Sequence, residues 1–87
     1  MKIYSFWSAD TTYFTKSKSL KKAQLVGDCN MEVYFNNCEY LEEQPWLSKE
    51  DFIVTEVEPV TKKEFKYFMK TDKDTMILDY ELETLLV

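Results

Sequence analysis

Lys2-Ile3-Tyr4-Ser5-Phe6-Trp7-Ser8-Ala9-Asp10-Thr11-Thr12-Tyr13-Phe14-Thr15-Lys16 decides how the rest of this chain must be arranged. Ile3 to Trp7 is an aromatic, β-prone run, and Thr12 to Thr15 is a second one. Ser8 to Thr11 is a short polar break between them. The pattern predicts a β-hairpin over roughly residues 2–16, although its turn lacks the favoured Asn-Gly or Asp-Gly pair. Rings on both strand faces predict a helix packed on one face and partial cover on the other. Trp7, in mid-strand, is expected in the core.

Working outward, Ser19 is a plausible N-cap, with Leu20, Ala23, Gln24 and Val26 at near-helical spacing. Gly27, the only glycine, falls where a helix C′ residue belongs, so a short helix over 19–26 is expected. Met31, Val33 and Phe35 alternate with Glu32, Tyr34 and Asn36, which is a strand period, and Asn36-Asn37 is a turn signal. A helical turn over 38–43 is expected before Pro45 breaks it. Ser48 to Asp51 resembles a capped turn. Phe52 to Glu58 follows as a strand, ended by Pro59.

Thr61 and Glu64 form the capping box of a helix over 62–71, with Phe65, Phe68 and Met69 in one stripe and Val60 as a staple against Phe65. The tail from Met76 fits two periods. Leu78, Leu82, Leu85 and Leu86 suit a helix, but the longer alternation from Met76 favours a strand. The sum is an α+β fold in a single domain spanning 1–87. Its sheet is small and mostly antiparallel, built from the N-terminal hairpin plus two or three further strands, with one or two short helices packed on one face.

The bulk numbers agree with one small domain. Eighty-seven residues that are 45% hydrophobic and 16% aromatic can bury a thin core. There is no apolar stretch of membrane-spanning length, so no membrane is expected. Met1-Lys2 leads directly into a strand, with no apolar leader before it, so the expected location is cytoplasmic. Cys29 and Cys38 are expected as free thiols in a reducing compartment.

Charge is distributed unevenly. Asp28, Glu32, Glu39, Glu42, Glu43, Glu50, Asp51, Glu56 and Glu58 fall within residues 28–58, where Lys49 is the single base. That middle is net −8, the first 27 residues are net +4 and the last 29 net −1. All eleven basic residues are lysines.

These facts weigh against several function classes. There is no histidine, so the common general base is missing, and neither a Ser-His nor a Cys-His pair can be built. No Gly-rich phosphate loop exists. Glu42-Glu43 and Glu50-Asp51 are adjacent carboxylates, which on a small surface usually mean solvation and not glycoside chemistry. Asp72-Lys73-Asp74 fails the calcium-loop pattern, because Met76 and Ile77 stand where a ligand and a glycine are required. No cofactor and no metal are expected, and the chain reads as a non-enzyme.

The expected function is therefore binding. The acidic middle suits docking on a basic surface of a partner protein, such as a nuclease or another nucleic-acid-binding protein. Glu39, Glu42, Glu43, Glu50, Asp51, Glu56 and Glu58 would supply the charge, and Trp46 the buried anchor. Phage anti-defence (anti-CRISPR-like) inhibitors and toxin-immunity proteins share this size and charge, an analogy of physics alone. Two alternatives remain. One is a homo-oligomeric structural module that pairs through an edge strand or through Leu85-Leu86-Val87. The other is a weak single-stranded nucleic-acid binder, using Lys16, Lys18, Lys21, Lys22, Lys62, Lys63, Lys66 and Lys70 if the two helices lie side by side.

Overall fold

The computed structural model describes residues 1–37, 48–72 and 74–86. The expected helical turn over 38–43 lies outside them. The hairpin forms as read: β1 (Lys2–Ser8) pairs antiparallel with β2 (Thr11–Ser17), Lys2 opposite Ser17 and Ser8 opposite Thr11. Its two-residue turn puts Ala9 (φ 49°) and Asp10 (φ 58°) in the left-handed region. That is the backbone a tight hairpin requires to match strand twist, here achieved without glycine.

Helix α1 (Leu20–Asn36) begins at the anticipated cap, where the Ser19 hydroxyl accepts the Lys22 N–H at 3.2 Å. It does not stop at Gly27. The expected strand over 31–36 is the second half of this helix. Ala23, Gly27 and Met31 are buried four residues apart, a narrow stripe that faces the sheet. Met31 and Phe35 continue that spacing inward, while Val33 is left 60% exposed. The alternation at 31–36 is a coincidence of two periods, and packing on the sheet resolves it. Asn37 ends the helix, bonding the Val33 carbonyl with its backbone N–H at 3.0 Å and with its side-chain amide at 2.9 Å.

A 3₁₀ turn (Lys49–Phe52) follows Ser48 as expected and delivers Phe52 and Val54 to the core. Strand β3 (Thr55–Val60) then pairs antiparallel with β1. Pro59 lies inside this strand instead of ending it, opposite Tyr4. It is tolerated because β3 is an edge strand, so the missing N–H is not needed by a neighbour.

Helix α2 (Lys62–Thr71) carries the predicted capping box: the Thr61 hydroxyl accepts the Glu64 N–H at 3.1 Å and the Glu64 carboxylate accepts the Thr61 N–H at 3.2 Å. The tail is strand only in β4 (Thr75–Ile77), which pairs in parallel with β2. Helix α3 (Tyr80–Glu83), capped by Asp79, and a 3₁₀ turn over Thr84–Leu86 replace the longer strand. Leu82 prevails here: it is fully buried, and it reaches the core only from a helix.

The sheet order is β3-β1-β2-β4, and its one parallel pair makes it mixed. The α+β class with a hairpin and two further strands is the observed one. The helices, expected on one face, are divided between both. Phe6 and Tyr13 point one way, to Met31 of α1 with Phe52 and Val54. Ile3 and Phe14 point the other way, to Phe65 of α2 and Leu82 of α3. The alternating directions of β1 and β2 side chains give each face its own apolar set, and each set needs cover. Full burial of Phe6, Phe14, Phe65 and Leu82 stabilises the fold by about 1.5–3 kcal/mol each.

Because β3 and β4 are parallel and lie at opposite edges, α2 crosses β1 and β2 between them. It therefore leaves the turn end of β1 bare on that face. Trp7, on the same face as Ile3, is accordingly 38% exposed and not in the core. Among the described residues no helix is long and apolar enough to cross a membrane.

Candidate functional site

Among the described residues, the acids of the middle third fall on α1, on the 3₁₀ turn and on β3. Helix α1 and the 3₁₀ turn form a shallow groove of about 240 Å³, lined by Asp28, Glu32, Phe35, Lys49, Phe52 and Ile53 among others. Its ring lining is Phe35 against Phe52, with centroids 5.4 Å apart; Tyr34 meets Phe52 at 5.6 Å outside the lining. Ile53 stands in its wall, 56% exposed. Asp28 and Glu32 are four residues apart, so α1 presents them on the same edge. Asp28 accepts a hydrogen bond from the Gln24 amide at 3.0 Å. Lys49 lines the same groove but makes no ion pair; among the described residues the one such pair is Lys16–Glu81, at 3.2 Å on the far face of β2.

The anticipated site residues do not form one group. Glu39, Glu42, Glu43 and Trp46 lie outside the described residues, as does Cys38. Glu50 is exposed beside the groove. Asp51 is exposed but already engaged: its carboxylate accepts the Ser48 N–H at 2.8 Å and the Ser48 hydroxyl at 3.4 Å. It builds the turn that carries Glu50, and its charge is partly spent on that turn. Glu56 is exposed on β3 with φ 57°, at the point where the register against β1 shifts between Ser5 and Trp7. This bulge bends the edge strand and re-aims its side chains. Glu58 is exposed opposite Ser5, on the face that β1 shares with Ile3 and that α2 covers, so it does not join Asp28 and Glu32 at the groove.

Asp28 and Glu32 belong to the acidic run but fall outside the expected site residues. At positions i and i+4 of a helix they share one edge, a pairing that a strand over 31–36 does not give. Cys29 is a free, exposed thiol on α1. Among the described residues no group of three or more Cys, Asp or Glu is placed to hold a metal ion.

The same geometry bears on both alternatives. Strand pairing at the β3 edge meets Pro59, which cannot donate, and the Glu56 bulge, which twists the edge away. Leu85 packs into the core, Leu86 is exposed and Val87 lies outside the described residues. The lysines of α1 and α2 do not lie side by side, because the sheet separates the two helices.

The chain matches no family model, no curated protein and no solved structure.

Proposed function

We propose that the acidic side is a docking surface for a basic surface on another protein, and that the domain inhibits a nucleic-acid-handling partner by occupying that surface. The observation that supports this most is an apolar groove whose rim carries Asp28 and Glu32 of α1, with Glu50 exposed on the adjoining 3₁₀ turn and Lys49 the only base among its described lining residues. Exposed charge around an apolar centre is the arrangement of rim and anchor found in binding interfaces. Ile53 and the ring lining would be covered on docking, and the carboxylates would stand where phosphates of the partner's own ligand lie. The mechanism is steric and electrostatic and needs no chemistry from this chain.

Charge-driven docking must weaken with salt, because the screening length falls from about 10 Å at 0.1 M to about 3 Å at 1 M. The test starts with partners captured from the source cell, then measures the affinity of each purified partner across ionic strength. A triple variant, Asp28→Lys, Glu32→Lys and Glu50→Lys, reverses exposed charge without touching Asp51, which holds its turn, or Glu56, whose backbone is left-handed. Binding should fall by orders of magnitude while circular dichroism stays unchanged. A partner whose affinity ignores both salt and the triple variant would refute the proposal.

A further inference from the structure

The outer face of α2 is opposite in charge to the side just described. Residues 63, 66, 67 and 70 follow the i, i+3, i+4, i+7 rule and share one stripe of the helix. That stripe reads Lys63, Lys66, Tyr67 and Lys70, all exposed, with Tyr67 65% open to solvent. Phe68 flanks it, and the two rings meet edge to face at 6.3 Å. Lys63, Glu64, Tyr67 and Phe68 line an almost wholly apolar groove of about 360 Å³. The fold does not need Tyr67 for cohesion, since Phe65 and Met69 already join α2 to the core.

At the start of α2, Lys62 lines a second cavity, of about 530 Å³, together with Lys2 and Lys16, the last of which is already paired with Glu81 at 3.2 Å. The sheet register brings them together: Lys2 begins β1, Ile3 sits opposite both Lys16 and Val60, and Lys62 follows two residues after Val60. Lys2, Lys62, Lys63, Lys66 and Lys70 have no ion-pair partner among the described residues. Glu64, the one acid of α2, is held by its cap bond to Thr61. Lysines 62, 66 and 70 succeed one another at i, i+4, a spacing that is repulsive in isolation and relieved by a bound polyanion.

We propose that this surface binds single-stranded nucleic acid. The lysines take phosphates, and Tyr67 with the edge of Phe68 stacks one or two bases, the combination by which sequence-tolerant single-strand binders work. A duplex hides its base faces from such a ring. With no arginine in the chain, bidentate reading of base edges is absent, so sequence preference should be slight. The ten-residue helix spans about 15 Å, which limits the contact to a few nucleotides. This surface is separate from the acidic side and does not rest on the function proposed for it.

The experiment is fluorescence anisotropy with the whole protein and a labelled oligothymidylate, at about 50 mM salt and upward. The oligonucleotide should bind, at least about tenfold tighter than a duplex of equal length. Four engaged lysines predict a log–log salt slope near −3, from about −0.7 per phosphate. Lys62→Gln with Lys63→Gln and Lys66→Gln should flatten that slope by about 2. Tyr67→Ala should weaken binding about tenfold with the slope unchanged; its exposed side chain makes this variant safe for folding. No binding at low salt overturns the proposal. So does equal competition by duplex or inorganic polyphosphate together with wild-type binding by Tyr67→Ala. No partner protein is present, so these outcomes are independent of the acidic side.

Discussion

Replacing Gly27 by alanine sets two known effects against each other, and the structure decides the sign. In a helix interior, Gly→Ala gains about 1 kcal/mol of backbone propensity. A Cβ at position 27 would lie 3.2 Å from Phe6 Cζ, 3.2 Å from Val54 Cγ1 and 3.3 Å from Phe6 Cε1. Neither neighbour can step back easily. Phe6 is fully buried and stacked on Tyr13 at 5.2 Å, and Val54 is buried beside them. Overpacking of this kind costs about 1–3 kcal/mol. The net expectation is a loss of about 1 kcal/mol, or roughly 4–8 °C in melting temperature for a domain of this size.

Thermal and urea unfolding followed by circular dichroism would measure that loss. In a Val54→Ala background the loss should shrink or reverse, because one of the two contacts is gone, giving a coupling of at least about 0.5 kcal/mol. If α1 stands off the sheet to make room, Asp28 and Glu32 move with it, and docking at the acidic side should weaken as well. A Gly27→Ala protein that melts several degrees higher than wild type would refute the reasoning. Close approach of α1 to the sheet would then not be what glycine is there for.

Asp10 occupies the second left-handed position of the hairpin turn, where an ordinary side chain costs about 1–2 kcal/mol. Asp10→Gly should therefore stabilise the domain by about 1 kcal/mol, read as a higher urea midpoint. Burial raises the Tyr13 phenol above its usual value of 10.0, opposed by its hydrogen bond with Thr11. The folded state thus holds this proton more tightly than the unfolded chain does. Its contribution is intact below about pH 10 and is lost as pH rises through the folded value. Urea midpoints between pH 8 and 11 should fall less steeply in Tyr13→Phe than in wild type.

The elements legible in the chain are those specified by local bonds. The capping box at Thr61 and Glu64 satisfies backbone donors within one turn, and α2 begins where that box predicts. The hairpin follows from two short aromatic runs separated by a short polar break. Ser48 and Asp51 likewise announce their turn. By contrast, Met31-Glu32-Val33-Tyr34-Phe35 satisfies period two and period 3.6 at once. Nothing local chooses between them. The choice is made by Phe6 and Val54, which offer a surface that Ala23, Gly27 and Met31 can approach as a helix.

The candidate site divides in the same way. An acidic middle third is visible in composition alone. Which of its members are free to act is not, because Asp51 is engaged by Ser48 and Glu56 is turned by a bulge that arises only when β3 pairs with β1. The lysines show the converse: they are scattered in sequence, yet Lys2, Lys16 and Lys62 meet because three strand ends coincide. By itself the sequence determined the class of fold, the hairpin, the cap of each long helix and the separation of charge along the chain, since each depends on neighbours a few residues apart. Only the tertiary structure decided that α1 runs on through Gly27, that helices cover both faces of the sheet, and which charges share a surface. Those outcomes depend on side-chain direction in β1 and β2 and on contacts between residues far apart in the chain.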